Sequence, residues 1–135
     1  MTPPWSDVVG VVLVAALGLI ATLAGGPLIV RVFALVDRRL PPPAEPQPGV
    51  TDAAQVLRGG AWIGRLERLA IYAALMAGSP ESMAMVLALK GLARYPELKA
   101  TTSGAAERFI IGTFVSVLVA AACAGLAFWL LGLLR

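Results

Sequence analysis

Two stretches of this chain carry no charged residue: 23 consecutive positions over 8–30 and 26 over 109–134. A helix that crosses the roughly 30 Å hydrocarbon layer of a bilayer needs about 20 apolar residues, so each stretch is long enough to do so. A soluble domain has about 25% charged residues to wet its surface, whereas this chain has 14% and a mean hydropathy of +0.83. In hydrocarbon only helices and closed barrels satisfy their backbone polar groups. At 135 residues there is room for a single domain, residues 1–135. The expected fold is therefore all-α and integral to a membrane, with both runs as spans.

The chain between the two runs is punctuated. The first run continues toward Arg31, Asp37, Arg38 and Arg39 and meets Pro41, Pro42 and Pro43. Five prolines over 41–50 remove backbone donors and restrict the residues before them, so this segment reads as an extended linker. Thr51 is placed to cap a short helix-like segment that ends at Gly59 and Gly60. A second apolar segment covers 60–77, interrupted by Arg65, Glu67 and Arg68. Gly78, Ser79, Pro80 and Glu81 then form a stop-and-restart signal: a C-terminal cap, an N-cap, a first-turn proline and an acid facing the new helix dipole. The third segment is expected over 80–94, ending before Pro96, which makes it short for a span: either a full span helped by snorkelling Lys90 and Arg94 or half of a re-entrant hairpin. The fourth starts near Thr101, Thr102 and Ser103. The architecture expected is a four-helix bundle in which two long spans flank a short charged helical hairpin.

Positive charge sets the orientation. Of the 11 Lys and Arg residues only Arg135 lies outside the block from Arg31 to Arg108, so the linker over 41–50 is expected in the cytoplasm and both termini outside. The N-terminus carries no Lys or Arg before the first run and no small-residue cleavage site after it, so this run is expected to remain in the mature protein.

The hairpin carries the most informative residues. Glu67 lies as far before the turn centre as Lys90 lies after it, 11.5 positions. Antiparallel helices then bring the two to one level, roughly 17 Å from the turn, where an unpaired charge is expensive. A Glu67–Lys90 pair is the expectation. Arg94 follows Lys90 by one turn, Arg68 adjoins Glu67, and Glu107 enters from the last helix, giving an intramembrane polar cluster of Glu67, Arg68, Lys90, Arg94 and Glu107. Two uses stay open for it: ion passage or capture of an anionic lipid headgroup, and a structural network that locks three helices. Small residues at four-residue spacing mark helix-packing faces that admit close approach in lipid. They are Ala21 and Gly25, Gly60 and Gly64, Ala84 and Ala88, and Ala121 and Gly125.

Several chemistries are not written here. There is no histidine and the single cysteine, Cys123, sits among alanines, which excludes a Cys/His metal site and any internal disulfide. No nucleophile elbow, phosphate-cradling glycine loop or paired catalytic acids occur, so neither a cofactor nor an enzymatic role is expected. The pI of about 9.6 reflects cations beside apolar runs, which points to anionic headgroups and topology rather than to nucleic acid.

Gly64, Leu66-Glu67-Arg68, Lys90, Arg94, Ala106-Glu107 and Ile110-Ile111-Gly112-Thr113 with Ser116 resemble the closing pattern of a membrane domain-of-unknown-function family in bacteria. The resemblance covers roughly residues 60–117. It implies a bacterial inner-membrane protein and no activity. The function expected is an oligomeric or accessory membrane subunit without catalysis, its partners being the bilayer and either itself or another membrane protein. A homo-oligomeric channel or small transporter is the alternative.

Overall fold

A computed structural model of the chain describes residues 4–39, 60–100 and 103–134. These form four helices and no strands: α1 (Pro4–Arg39), α2 (Gly60–Met76), α3 (Pro80–Ala100) and α4 (Ser103–Leu133). The linker over 41–50 and the short segment after Thr51 lie outside the described residues.

Two of the four, α1 and α4, are long and apolar enough to cross a membrane, over Trp5–Arg39 and Ala106–Leu133. At 36 and 31 residues they extend about 54 and 46 Å, well beyond their charge-free parts. The excess of α1 is polar and dipole-matched: Asp7 lies in its first turn and Arg38 and Arg39 in its last. Pro27 stands inside α1; it removes the donor for the Leu23 carbonyl, yet the helix continues through it.

Between α2 and α3 the turn is built as a Schellman motif. Gly78 takes φ +68°, Ser79 N–H donates to the Ala74 carbonyl (3.0 Å) and Gly78 N–H to the Leu75 carbonyl (3.0 Å). Ser79 then serves the next helix, its carbonyl accepting from Ser82 N–H at 3.1 Å and its hydroxyl lying 2.8 Å from Ser82 Oγ.

One boundary differs from the expectation. α3 does not stop at Arg94 but runs through Pro96 to Ala100. A proline ring removes one bond and crowds one carbonyl, and here the turns on both sides hold the helix without it. α3 is therefore long as a helix, with charged and proline residues in its second half.

The core is formed by α1, α2 and α4, each packed on the other two, while α3 packs mainly on α2. α1 runs antiparallel to both neighbours: Gly10 faces Leu131 and Gly112 faces Phe33, and Gly18 faces Tyr72. Small residues line the seam. Ala21, Ala120 and Ala127 are fully buried and Ala124 nearly so, around Leu17, Ile71 and Tyr72. The large apolar side chains point the other way, with Val11 at 70% and Phe114 and Leu118 each at 65% exposure. That inside-out distribution is the reverse of a water-soluble core.

The packing faces follow from this seam. Ala21 and Gly25 are buried on α1. Gly64 is half-buried, the Nη1 of Arg68 lying 3.5 Å from where its Cβ would stand. On α4 the buried alanines are one position away from the expected pair, and Ala121 and Gly125 are exposed. Consecutive alanines over 120–122 offer several small faces, and the tertiary contacts select one. Ala84 and Ala88 are exposed on α3, and Gly60 opens α2.

Candidate functional site

Arg68 and Tyr72 are four residues apart and so share one face of α2. Both are buried, at 4% exposure each, and both donate to backbone carbonyls of α1. The Tyr72 hydroxyl donates to Val14 O at 2.9 Å. The Arg68 guanidinium donates to Thr22 O from Nε (3.1 Å) and Nη2 (3.0 Å). Thr22 turns its own hydroxyl to Gly18 O, 2.7 Å away. Glycines make the approach possible: a Cβ at position 25 would overlap the Cδ and Nε of Arg68, and one at position 18 would stand 3.0 Å from the Tyr72 ring.

On the adjoining face of α2, Glu67 Oε2 lies 2.5 Å from Lys90 Nζ on α3, with both side chains about 15% exposed. Lys90 also sits 5.8 Å from the centre of the Phe109 ring, which ties α4 to the hairpin. Farther toward the same end, Arg108 Nη2 lies 2.7 Å from Asp37 Oδ1, and its guanidinium is 5.4 Å from the Phe33 ring. Arg65 is placed over Trp62, 5.0 Å from the ring centre.

These groups surround a cleft of about 340 Å³ between α1, α2 and α4, with Lys90 reaching in from α3. Its walls include Arg65, Arg68, Lys90 and Arg108, the small residues Gly26 and Gly64, and the hydroxyls of Thr113 and Ser116. Ser116 is 2% exposed. Thr113 Oγ1 is buried and has no hydrogen-bond partner among the described residues, which is uncommon for a buried hydroxyl. Among the described residues the carboxylates Glu67 and Asp37 each pair with one cation, leaving Arg65 and Arg68 without a carboxylate partner. The cleft carries net positive charge.

A larger cavity of about 740 Å³ lies toward the other ends of α1 and α4, lined by Ser6, Asp7 and mainly apolar side chains including Val11, Val14 and Leu131. Among the described residues its walls hold no cation, and no group of His, Cys, Asp and Glu able to hold a metal occurs.

Of the residues singled out from sequence, Glu67, Arg68 and Lys90 come together here. Arg94 lies on α3 one turn beyond Lys90, its side chain outside the description. Glu107 is exposed on α4 and does not line the cleft; its neighbour Arg108, about 100° further round the helix, does. Sequence reasoning missed Thr22, Tyr72 and the Asp37–Arg108 pair, and it held Thr113 only within the resemblance pattern. The nearest available signal was the Gly25-Gly26 pair, which marks a place where α1 has no side-chain bulk. Comparison of the chain with protein-family models, with characterised proteins and with solved structures gives no match.

Proposed function

We propose that the chain is a multi-pass protein of a bacterial inner membrane that works by assembly, as an oligomeric or accessory subunit without catalysis. The inside-out distribution of side chains supports the membrane setting. Buried alanines with Val11, Phe114 and Leu118 outside suit helices packed in lipid, where small residues admit close approach. Trp5 and Trp129 near one end and Trp62 near the other, all more than 60% exposed, suit anchoring at the two interfaces.

The observation that carries the assembly reading is the pair of small-residue faces left uncovered. Ala84 and Ala88 on α3 and Ala121 and Gly125 on α4 are exposed, and nothing lies within 4 Å of a Cβ built on Gly125. The cleft itself holds cations fixed by carboxylates, a carbonyl and an aromatic ring, an arrangement that binds or braces rather than reacts. Native mass spectrometry of the purified chain tests this. The wild type is expected as a closed oligomer, and Ala84→Leu with Ala88→Leu, or Ala121→Leu with Gly125→Leu, as a smaller species of unchanged thermal stability. A monomeric wild type across detergents, with no co-purifying membrane protein, contradicts the reading.

The cationic cleft favours a second reading, a homo-oligomeric channel or small transporter. Under it Glu67→Gln changes flux in liposomes while the oligomer persists; under the first, the same substitution lowers thermal stability and there is no flux to change.

A further inference from the structure

We propose that the cleft between α1, α2 and α4 is a binding site for a phosphate group, with the headgroup of an anionic phospholipid as its source. The lipid source rests on the membrane setting proposed above, and not on whether the chain assembles.

Charge comes first. Four cations line the cleft, and Glu67 and Asp37 neutralise two of them, Lys90 and Arg108. Among the described residues neither Arg65 nor Arg68 forms an ion pair of its own, although Glu67, already paired with Lys90, also lies in the field of Arg68. Removing a cation from water into an apolar wall is costly unless an anion meets it. The Arg68 guanidinium satisfies only part of its donor set: Nε and Nη2 donate to Thr22 O, while Nη1 lies on the side of Gly64, which lines the cleft. Guanidinium groups present planar pairs of N–H donors that match phosphate oxygens.

A second observation is independent of charge. Thr113 Oγ1 is buried in the wall without a partner among the described residues. A hydroxyl in that state has a donor to offer, and a phosphate oxygen in the cleft accepts it.

Depth selects the source. The cleft spans Leu23 to Phe33 on α1 and Arg108 to Ser116 on α4. The centres of those stretches lie about nine residues from the middle of each charge-free run, or about 14 Å. Half the hydrocarbon thickness is about 15 Å, so the cleft sits where acyl chains give way to glycerol and phosphate. Arg68, bonded to Thr22 nearer the middle, closes its inner end, and Arg65 and Arg108 stand at the outer one.

The full chain, purified in a neutral detergent at fixed ionic strength, is titrated in three arms: phosphatidylglycerol, phosphatidylcholine and glycerol 3-phosphate. Bound ligand is read by native mass spectrometry and thermal shift. Phosphatidylglycerol is expected to bind saturably and phosphatidylcholine not to do so. Arg65→Gln is expected to weaken binding about tenfold, the scale of one lost charge-assisted hydrogen bond. Thr113→Val, which keeps the shape of the wall, weakens it less, and Arg31→Gln, an exposed cation outside the cleft, leaves it unchanged. Binding of glycerol 3-phosphate that is lost in the same variants keeps the phosphate site and assigns it to a soluble ligand. Absence of binding in both anionic arms overturns the proposal. So does an affinity that falls equally in Arg31→Gln and Arg65→Gln, since that is surface charge alone.

Discussion

Gly25 and Gly26 are neighbours on one helix, and replacing each by alanine separates packing from propensity. Both changes gain intrinsic helix preference, about 1 kcal/mol, with somewhat less at 26, where the new Cβ lies beside the Pro27 ring. A Cβ at 26 meets nothing within 4 Å, whereas one at 25 overlaps the Cδ and Nε of Arg68. Arg68 must then leave Thr22 O, losing bonds from a charged donor worth about 1.5–3 kcal/mol, or stay and strain the seam by a similar amount. Because most of the propensity gain cancels, Gly25→Ala is expected to be less stable than Gly26→Ala by about 1.5–3 kcal/mol. At about 4 °C per kcal/mol the two melting temperatures differ by roughly 6–12 °C. Thermal unfolding in one detergent measures this. In an Arg68→Met background the gap between the two alanine variants shrinks to a small fraction, since the shared contact is gone. Equal stability of the two single variants with Arg68 in place refutes the claim that Gly25 exists to seat that guanidinium.

Three other outcomes follow from the same contacts. Lys90→Met leaves Glu67 without the ammonium 2.5 Å away and is expected to cost about 2–3 kcal/mol, less than a fully buried pair because both groups keep some exposure; Glu67→Gln with Lys90→Met together recovers most of it in the same unfolding assay. Tyr72→Phe removes only the bond to Val14 O and is expected to cost about 1 kcal/mol, without changing helicity by circular dichroism. Gly78→Ala forces a side chain onto a residue at φ +68°, costing about 1–2 kcal/mol, and its penalty should be matched at no other glycine that has free space around it.

What could be read from the sequence was whatever depends on local order. The two charge-free runs specify α1 and α4, and the Gly78-to-Glu81 signal places the hairpin turn where the Schellman bonds lie. Equal distance from that turn puts Glu67 level with Lys90, because antiparallel helices share one rise. What could not be read depends on which face a helix turns inward and on contacts between distant segments. The run of alanines around 121 has no phase of its own, so Ala120 and Ala124 rather than Ala121 and Gly125 meet α1 and α2. Arg68 bonds a carbonyl, and a carbonyl leaves no trace in residue identity; only the bare backbone at Gly25 hints at it. The Asp37–Arg108 pair joins residues 71 positions apart across two helices whose register is set by the seam. Pro96 fails as a stop signal because local propensity is a weak term beside the turns that flank it.

If α1 crosses hydrocarbon, its two ends face different compartments. With Cys123 replaced by alanine, single cysteines at Asp7 and at Arg38 are labelled in sealed cells with a membrane-impermeant maleimide. The expected result is labelling of Asp7→Cys from outside in intact cells and of Arg38→Cys only after permeabilisation. Labelling of both from the same side would contradict it.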